Sequence, residues 1–404
     1  MPELIFWLCM AAVAYNYVGY PVLLFVLYVL VQAKSDILYL ACRRTRRLTT
    51  NDLPQVAVLI SAYNEEDVIE AKAKNCLQID YPEDRVEFLF GLDAPTDSTA
   101  DLLRRMTSDR LRALHFPRRR GKLAVLCDLK QQTSAEILIL TDANTLLEKT
   151  AIRSLVRHFA DPGVGAVSGE EIRLSPSGCE ASAEVLYWRY ESAVKILESR
   201  LNCSLGGNGS VLAVRHSLFK PQKQSIVEDF QIPLEIRFQG HRVVYDPAAV
   251  AVEEIAPTWA AQFARRIRIG AGNYQTFFAH PEYLNPRHGF LAFSFFSHRV
   301  LRWLAPFLLL AGFACSVLLS AHTFFAALAA AQGVFYIAAA MGWWFKKRAK
   351  PLRWCSVPFH FCAMNLALVL GLLRFLRGRQ ALAWQPTPRR LQDPALLDKV
   401  SGNS

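Results

Sequence analysis

Residues 136–148 read EILILTDANTLLE. Four aliphatic residues run directly into Thr141-Asp142-Ala143-Asn144, and a helix-like run follows. A buried strand that ends in an acid and an amide, two residues apart where the chain turns, places oxygen donors where ligands meet an open α/β sheet. The design recurs twice upstream. Residues 55–61, QVAVLIS, end at Ala62-Tyr63-Asn64-Glu65-Glu66 before a helical stretch at 68–77. Residues 86–92, VEFLFGL, end at Asp93 before the turn-rich APTDST and the helical ADLLRRM. Strands alternating with helices of this length predict βαβ units and a parallel sheet, with Asn64, Glu65, Asp93 and Asp142 facing one crevice. The alternative for each acid is that it caps the next helix; three strands that end alike favour a functional cluster.

Further along, Gly206-Gly207-Asn208-Gly209-Ser210 forms a small-residue turn before the strand-like VLAV. It suits either a phosphate cradle or the close approach of a bulky substrate. Glu228 and Asp229 then open a helical run, QIPLEIRFQG. Adjacent side chains on a helix diverge, so one of the pair is expected in the crevice and the other to complement the helix dipole. Residues 257–280 mix Arg265, Arg266 and Arg268 with Trp259, Phe263 and Ile267, the pattern of an interfacial amphipathic helix.

Hydrophobic residues make up 52% of the 404, and the excess is localised. Residues 4–33, 303–345 and 354–373 contain no Asp, Glu, Lys or Arg. At about 20 apolar residues per span, these runs predict four spans, the middle run folding back near Ser320-Ala321-His322. The first run exceeds a signal peptide's apolar core of about 7 to 15 residues; it lacks a basic start and ends at Lys34, so it reads as a retained anchor. Lys34, Arg43, Arg44, Arg46 and Arg47 follow the first span, and Lys346, Lys347, Arg348 and Lys350 the third. Both flanks are thereby expected in the cytoplasm, with residues 34–302 on the inner face of a cell inner membrane crossed several times. Parity then puts the carboxy terminus outside, while Arg374, Arg377, Arg379, Arg389 and Arg390 argue for inside. Either the charge rule is violated or residues 354–373 do not fully cross. The net charge of +11 clusters beside the apolar runs, which favours anionic membrane lipids over nucleic acid as partner. Nine cysteines show no CxxC pair or metal spacing, so reduced thiols are expected.

Taken in order, these motifs resemble the membrane-embedded family 2 glycosyltransferases, the group that includes hyaluronan, poly-N-acetylglucosamine and nodulation chitooligosaccharide synthases. The likeness covers roughly residues 54–302. It implies an α/β GT-A domain with flanking transmembrane and interfacial helices. The division would be a first span and basic linker at 1–50, a cytoplasmic GT-A domain at 51–255, interfacial helices at 256–302, further spans at 303–376 and a basic tail at 377–404. The resemblance puts Tyr63 and Glu65 at the turn that holds uracil, Asp93 at the nucleoside with Asp97 beside it, and Lys122 near the base and diphosphate. Asp142 and Asn144 fall at the D-x-D position, where Mg or Mn bridges the diphosphate. Gly207 and Asn208 fall where the acceptor is received, and Glu228-Asp229 at the E-D motif whose Asp is the general base. Gln262, Arg265 and Arg266 fall at Q-x-x-R-W. Two positions depart from the family: Asn144 replaces an Asp, and Arg266 replaces the Trp that stacks on the acceptor sugar.

The chemistry agrees with these roles. A metal ion and arginines stabilise charge developing on UDP, Asp142 and Asn144 offer hard oxygen ligands, Arg265 offers a planar fork for phosphate oxygens, and a buried Asp229 is basic enough to deprotonate an acceptor hydroxyl. One base plus one metal implies direct displacement with inversion. The expected reaction moves N-acetylglucosamine or glucose from a UDP-sugar donor to a growing polysaccharide or lipid-linked acceptor. One rival is single-sugar transfer to a lipid of the ceramide or polyprenyl phosphate type. Another is a transporter with a nucleotide-binding domain, disfavoured because the span centres lack charged residues. Asn16, His322, His360 and Asn365 read as helix-packing or interface residues. An export partner for a polymer product stays open.

Overall fold

The computed structural model describes residues 1–42, 53–106, 108–174, 182–220, 227–254, 258–348 and 352–378. The basic residues Arg43, Arg44, Arg46, Arg47, Lys350, Arg379, Arg389 and Arg390 lie outside these. The chain forms two compact units, a helical one (Met1–Ala33, Cys179–Leu197, Phe263–Gln380) and a sheet unit (Lys34–Gly178, Glu198–Gln262, Ala381–Ser404).

The sheet unit is built on eight strands: β1 Val56–Ala62, β2 Val86–Asp93, β3 Leu111–Phe116, β4 Ile137–Asp142, β5 Thr145–Leu147, β6 Val164–Leu174, β7 Leu212–Arg215 and β8 Arg242–Glu254. Their order is β3-β2-β1-β4-β7-β6-β8-β5. β1 explains why the centre is so apolar. Val56, Val58 and Ile60 enter one core with Ile69, Ala73 and Cys76 of the helix Ile69–Leu77. Ala57 and Leu59 enter a second core with Leu123, Val125 and Leu126 of the helix Lys122–Lys130. A strand covered on both faces needs a continuous hydrophobic run, and each fully buried aliphatic side chain contributes about 1.5–3 kcal/mol. β2, β1 and β4 are parallel and in register, Ala62 opposite Leu92 and Ser61 opposite Asp142, so their carboxyl ends and the turns that follow form one rim.

Beyond that rim the sheet departs from the expected parallel pattern. β7 runs antiparallel between β4 and β6. The residues after Asn144 are not helical: Thr145–Leu147 forms β5, antiparallel to β8, and the next helix begins at Ala151. A short, fully buried apolar run has no period by which strand and helix can be told apart.

In the helical unit, four helices are long and apolar enough to cross a membrane: Pro2–Ala41, Phe290–Leu318, Thr323–Lys347 and Trp354–Leu376. They coincide with the four expected runs. The first two each contain a π-helical turn, Tyr15–Gly19 and Phe295–Val300, and these turns face one another. Asn16 Nδ2 donates to the Ser297 carbonyl at 2.7 Å, and the Tyr15 and Ser297 hydroxyls lie 2.9 Å apart. The Tyr20 hydroxyl meets that of Ser294 at 2.5 Å. Asn16 thus serves helix packing, as expected. The helix Trp259–Ala279 covers most of the amphipathic stretch.

Candidate active site

At the rim, the turns after β1 and β2 interlock. Asn64 takes a left-handed conformation, φ 51°, which Asn tolerates better than most residues. Its side chain donates to Thr96 Oγ1 at 3.0 Å and accepts the Thr96 N–H at 2.8 Å. The buried Glu65 donates its backbone N–H to Thr99 Oγ1 at 2.8 Å. Glu66 N–H reaches Asp97 Oδ2 at 3.2 Å, and Ser98 N–H returns to Glu66 Oε2 at 3.0 Å. Tyr63 lies beneath the Arg119 guanidinium, 3.7 Å from its ring centroid.

Asp93 is buried, and both carboxylate oxygens accept backbone N–H groups, from Arg120 at 2.7 Å and Gly121 at 2.9 Å. The acid therefore fixes the basic loop 118–121. Gly121, at φ 87°, turns the chain into the helix whose first residue is Lys122. The capping alternative fails for Asp93 and Asp142, because the helices that follow begin from Ser98 and Thr150. Asp97 does serve a helix start, accepting the Thr99 N–H at 3.0 Å.

Lys122 is the centre of the cluster. Its ammonium lies 2.5 Å from Asp142 Oδ1, at the end of β4, and 2.5 Å from Glu228 Oε1, at the start of the helix Glu228–Phe238. Burial alone would lower its pKa, but the two carboxylates outweigh burial and hold it above its ordinary range. Asp229 belongs to the same field. Burial first, then Glu228, Glu171 and Asp142, push its carboxyl up to about 6 against the pull of Lys122. The divergence expected for adjacent helical acids does not separate this pair. Side chains in a helix lean toward its N-terminus, so both first-turn acids reach the cluster.

The glycine turn is shaped by Asp229. Gly207 N–H donates to the Asp229 carbonyl at 2.8 Å, and a Cβ on Gly209 would stand 3.1 Å from that of Asp229, tighter than side chains normally approach. Asn208 faces inward, its amide donating to the Gly169 carbonyl at 2.6 Å and its N–H to Ser168 Oγ at 2.8 Å. Asn144 is buried, with Nδ2 donating to Glu253 Oε1 at 3.3 Å. That leaves its amide oxygen as the atom available to a cation.

Two residues of the helix Ile69–Leu77 were not singled out by motif. Lys72 is completely buried and donates to Thr141 Oγ1 at 3.0 Å and to the Thr145 carbonyl at 2.6 Å, straddling the Asp142 turn. Burial lowers its pKa to about 8 while Cys76 and Asp142 draw it upward. Asn75 brackets Leu147, donating to its carbonyl at 2.8 Å and accepting its N–H at 2.9 Å. The signal was present: Ile69, Lys72, Ala73 and Cys76 follow the spacing of one helical face, and a lysine on an apolar stripe needs an internal partner.

Gln262 belongs to the sheet unit, while Arg265 and Arg266 belong to the helical unit. There the Arg266 guanidinium lies over the Trp188 ring, 4.9 Å from its centroid.

Residues 54–272, more than half of the chain, match the family model described as "Glycosyltransferase like family 2". The chain belongs to that family. It is 25% identical over 247 residues to the probable glycosyltransferase YdaM of Bacillus subtilis, a match covering 56% of the chain and 57% of the relative. It is 27% identical over 248 residues to the beta-monoglucosyldiacylglycerol synthase of Synechocystis, covering 57% and 50%. To the N-acetylglucosaminyltransferase of Azorhizobium caulinodans it is 21% identical over 241 residues, covering 55% and 60%. The chain thus spans 50% to 60% of the length of these relatives. A mannosyltransferase structure from Pyrobaculum calidifontis, in complex with GDP-Man and Mn2+, superimposes with a TM-score of 0.66 at 23% identity, covering 94% of this chain and all of that one. It shares the GT-A fold.

Proposed function

We propose that this transferase moves a glucosyl or N-acetylglucosaminyl unit from a UDP-sugar to an acceptor carried by a membrane lipid, by one displacement with inversion. The observation that carries this reading is the convergence of Asp142, Glu228 and Asp229 around Lys122 at the strand ends. Two relatives support the sugar and the acceptor class: their names specify glucosyl transfer to diacylglycerol and N-acetylglucosaminyl transfer.

In this reading the acceptor hydroxyl oxygen attacks the anomeric carbon as the bond from that carbon to the diphosphate oxygen breaks, and the electron pair leaves with UDP. Asp229 takes the hydroxyl proton; a carboxylate held near 6 is ionised at neutral pH yet more basic than an ordinary one. Lys122 lies within the leaving diphosphate's field, and Asp93 positions its loop. Tyr63 and Glu65 line the nucleoside end, Gly207 and Asn208 the acceptor end, and Gln262, Arg265 and Arg266 contribute to the diphosphate and acceptor. The donor set fits Mg or Mn. Asp142, with 27% of its side chain exposed, offers a carboxylate, and Asn144 an amide oxygen. Among the described residues no three His, Cys, Asp or Glu are arranged as the ligands of one metal ion, so diphosphate oxygens and water would complete the shell. When bound, the ion neutralises charge gathering on the diphosphate.

The reading places the protein in a bacterial inner membrane with the sheet unit cytoplasmic, residues 51–255 as the catalytic domain and the helix Trp259–Ala279 at the interface. Arg266 at the place of the stacking Trp favours a short product. The test is purified full-length protein with UDP-glucose or UDP-N-acetylglucosamine, Mn2+ and diacylglycerol, the product sized by mass spectrometry. One added sugar on lipid supports the proposal. A polymer ladder makes the product a polysaccharide, and no UDP release with either donor sinks the reading.

A further inference from the structure

The second oxygen ligand expected of the D-x-D position is an amide, Asn144, where a carboxylate would hold a cation more tightly. What stands beside that amide is set by the sheet. β5 and β8 pair antiparallel, with Thr145 opposite Glu253, Leu146 opposite Val252 and Leu147 opposite Ala251. The pairing brings Glu253, 109 positions along the chain, beside Asn144, whose Nδ2 donates to Glu253 Oε1 at 3.3 Å. At 1% exposure Glu253 is almost wholly enclosed. The turn itself is fixed on the side of the helix Ile69–Leu77. Lys72 ties Thr141 to Thr145, one residue outside each end of Asp142–Asn144, and Asn75 clamps Leu147 through both its N–H and its carbonyl.

An ionised carboxylate only accepts hydrogen bonds. The end of the amide that meets Glu253 is therefore its NH2, and Oδ1 is the end left for a cation. An Asp at position 144 would set a second carboxylate at hydrogen-bond distance from Glu253, and two carboxylates that close resist ionising together. The amide removes that conflict and still transmits charge, because a group whose N–H is bound to an anion is polarised by it. Carboxylates behind metal-ligating histidines strengthen them in the same way. The tally of charges agrees. Asp142 supplies one negative charge, shared with Lys122 at 2.5 Å, and Glu253 restores the one that Asn144 lacks. β6 sets Arg173 at the register position opposite Glu253, so a cationic residue as well as the amide stands near the enclosed acid. We propose that Glu253 is a positioning residue for the divalent cation: it fixes the Asn144 amide with Oδ1 as the ligand atom and supplies, one hydrogen bond removed, the negative charge that an Asp would carry. The inference rests on the metal assignment proposed above and adds a residue that lies outside the D-x-D motif.

The test titrates purified full-length protein with Mn2+ at saturating UDP, following unbound Mn2+ by electron paramagnetic resonance, with melting temperatures measured alongside. Glu253→Gln keeps the side chain's shape and removes its charge; it is expected to weaken Mn2+ binding about tenfold or more. Adding Asn144→Asp exchanges acid and amide, so that the new amide donates to the new carboxylate, and should recover most of the lost affinity. In turnover assays the Mn2+ concentration for half-maximal UDP release should move in step, while the rate at saturating Mn2+ changes far less. Mn2+ bound equally well by the parent and by Glu253→Gln overturns the role of Glu253 and leaves the metal assignment standing. A loss of affinity or of melting temperature that the second substitution does not repair also overturns it, by making Glu253 a residue of the fold alone. No Mn2+ uptake by the unaltered protein with UDP present strikes the metal assignment, and this inference falls with it.

Discussion

In the sheet unit, two clusters pair opposite charges at short range. Lys122 has two carboxylates at 2.5 Å, and Asp246 is met by Arg157 at 2.6 Å and His158 at 2.7 Å. In the helical unit Glu191 is the acid, and Arg302, Arg299 and His298 press on it from several sides. In the first unit Asp229, Glu228, Asp142 and Glu171 gather beside Lys122. In the second the surplus is positive and comes from Phe263–Gln380, which carries 14 Lys and Arg against the single acid Glu282. The net charge of the whole chain hides this difference. What the contrast teaches is that the net charge of a chain says little until it is traced to the segments that carry it.

The largest effect that can break this contrast is expected at Asp229. Asp229→Asn should lower turnover by about a thousandfold, measured as UDP release. The same change should stabilise the fold at neutral pH. The folded pKa is raised from 3.8 to about 6, so the stability contributed by the protonated acid is complete below the unfolded value and lost as pH rises through 6. At neutral pH the native protein carries that cost. Removing it should add about 1–2 kcal/mol, seen as a melting temperature gain of a few degrees that shrinks toward pH 4. The parent enzyme's kcat/KM should fall tenfold per unit below about pH 6; a profile flat to pH 5 would remove Asp229 as the base.

Next in size is Arg302→Gln. It leaves Glu191 buried without its main partner and should cost about 3–5 kcal/mol in denaturation, most of it restored when Glu191→Gln is added. Lys72→Met follows. It strands the Thr145 carbonyl and the Thr141 hydroxyl, and should cost on the order of 2 kcal/mol. If instead stability is unchanged, the buried lysine is not the brace of the Asp142 turn. The smallest effect is expected for Asp101→Ala, whose partner Arg104 lies at 2.8 Å with both side chains about two-thirds exposed. That change should move stability by about 0.3 kcal/mol or less.

Much of the sheet rim was legible because β1, β2 and β4 are buried on both faces, which writes a hydrophobic run into the sequence and an abrupt polar stop after it. Asp93 and Asp142 could be named from such stops, and Glu228 and Asp229 from the helical run they open. The antiparallel half was harder to read. β8 contains Asp246-Pro247, and its pairing with β6 skips from Gly169 opposite Asp246 to Glu170 opposite Val250, so no regular alternation survives there. The partnership of Lys122 with both Asp142 and Glu228 joins residues 20 and 106 positions apart, and no local spacing encodes it. Lys72 is the instructive miss: beside Lys74 it resembles half of an exposed basic pair, and only its place on the Ile69–Cys76 stripe tells against that.

The two π-helical turns bear on how this chain should be compared with others. A π turn holds one residue more than the α-helical turn it replaces, so removing a residue from Tyr15–Gly19 would restore ordinary winding and leave the flanking helix in place. The bulge that presents Tyr15 and Asn16 to Ser297 would be lost with it. A homologue aligned with a one-residue gap at either turn has therefore exchanged this polar seam for a plain apolar contact, a difference that percentage identity would scarcely register.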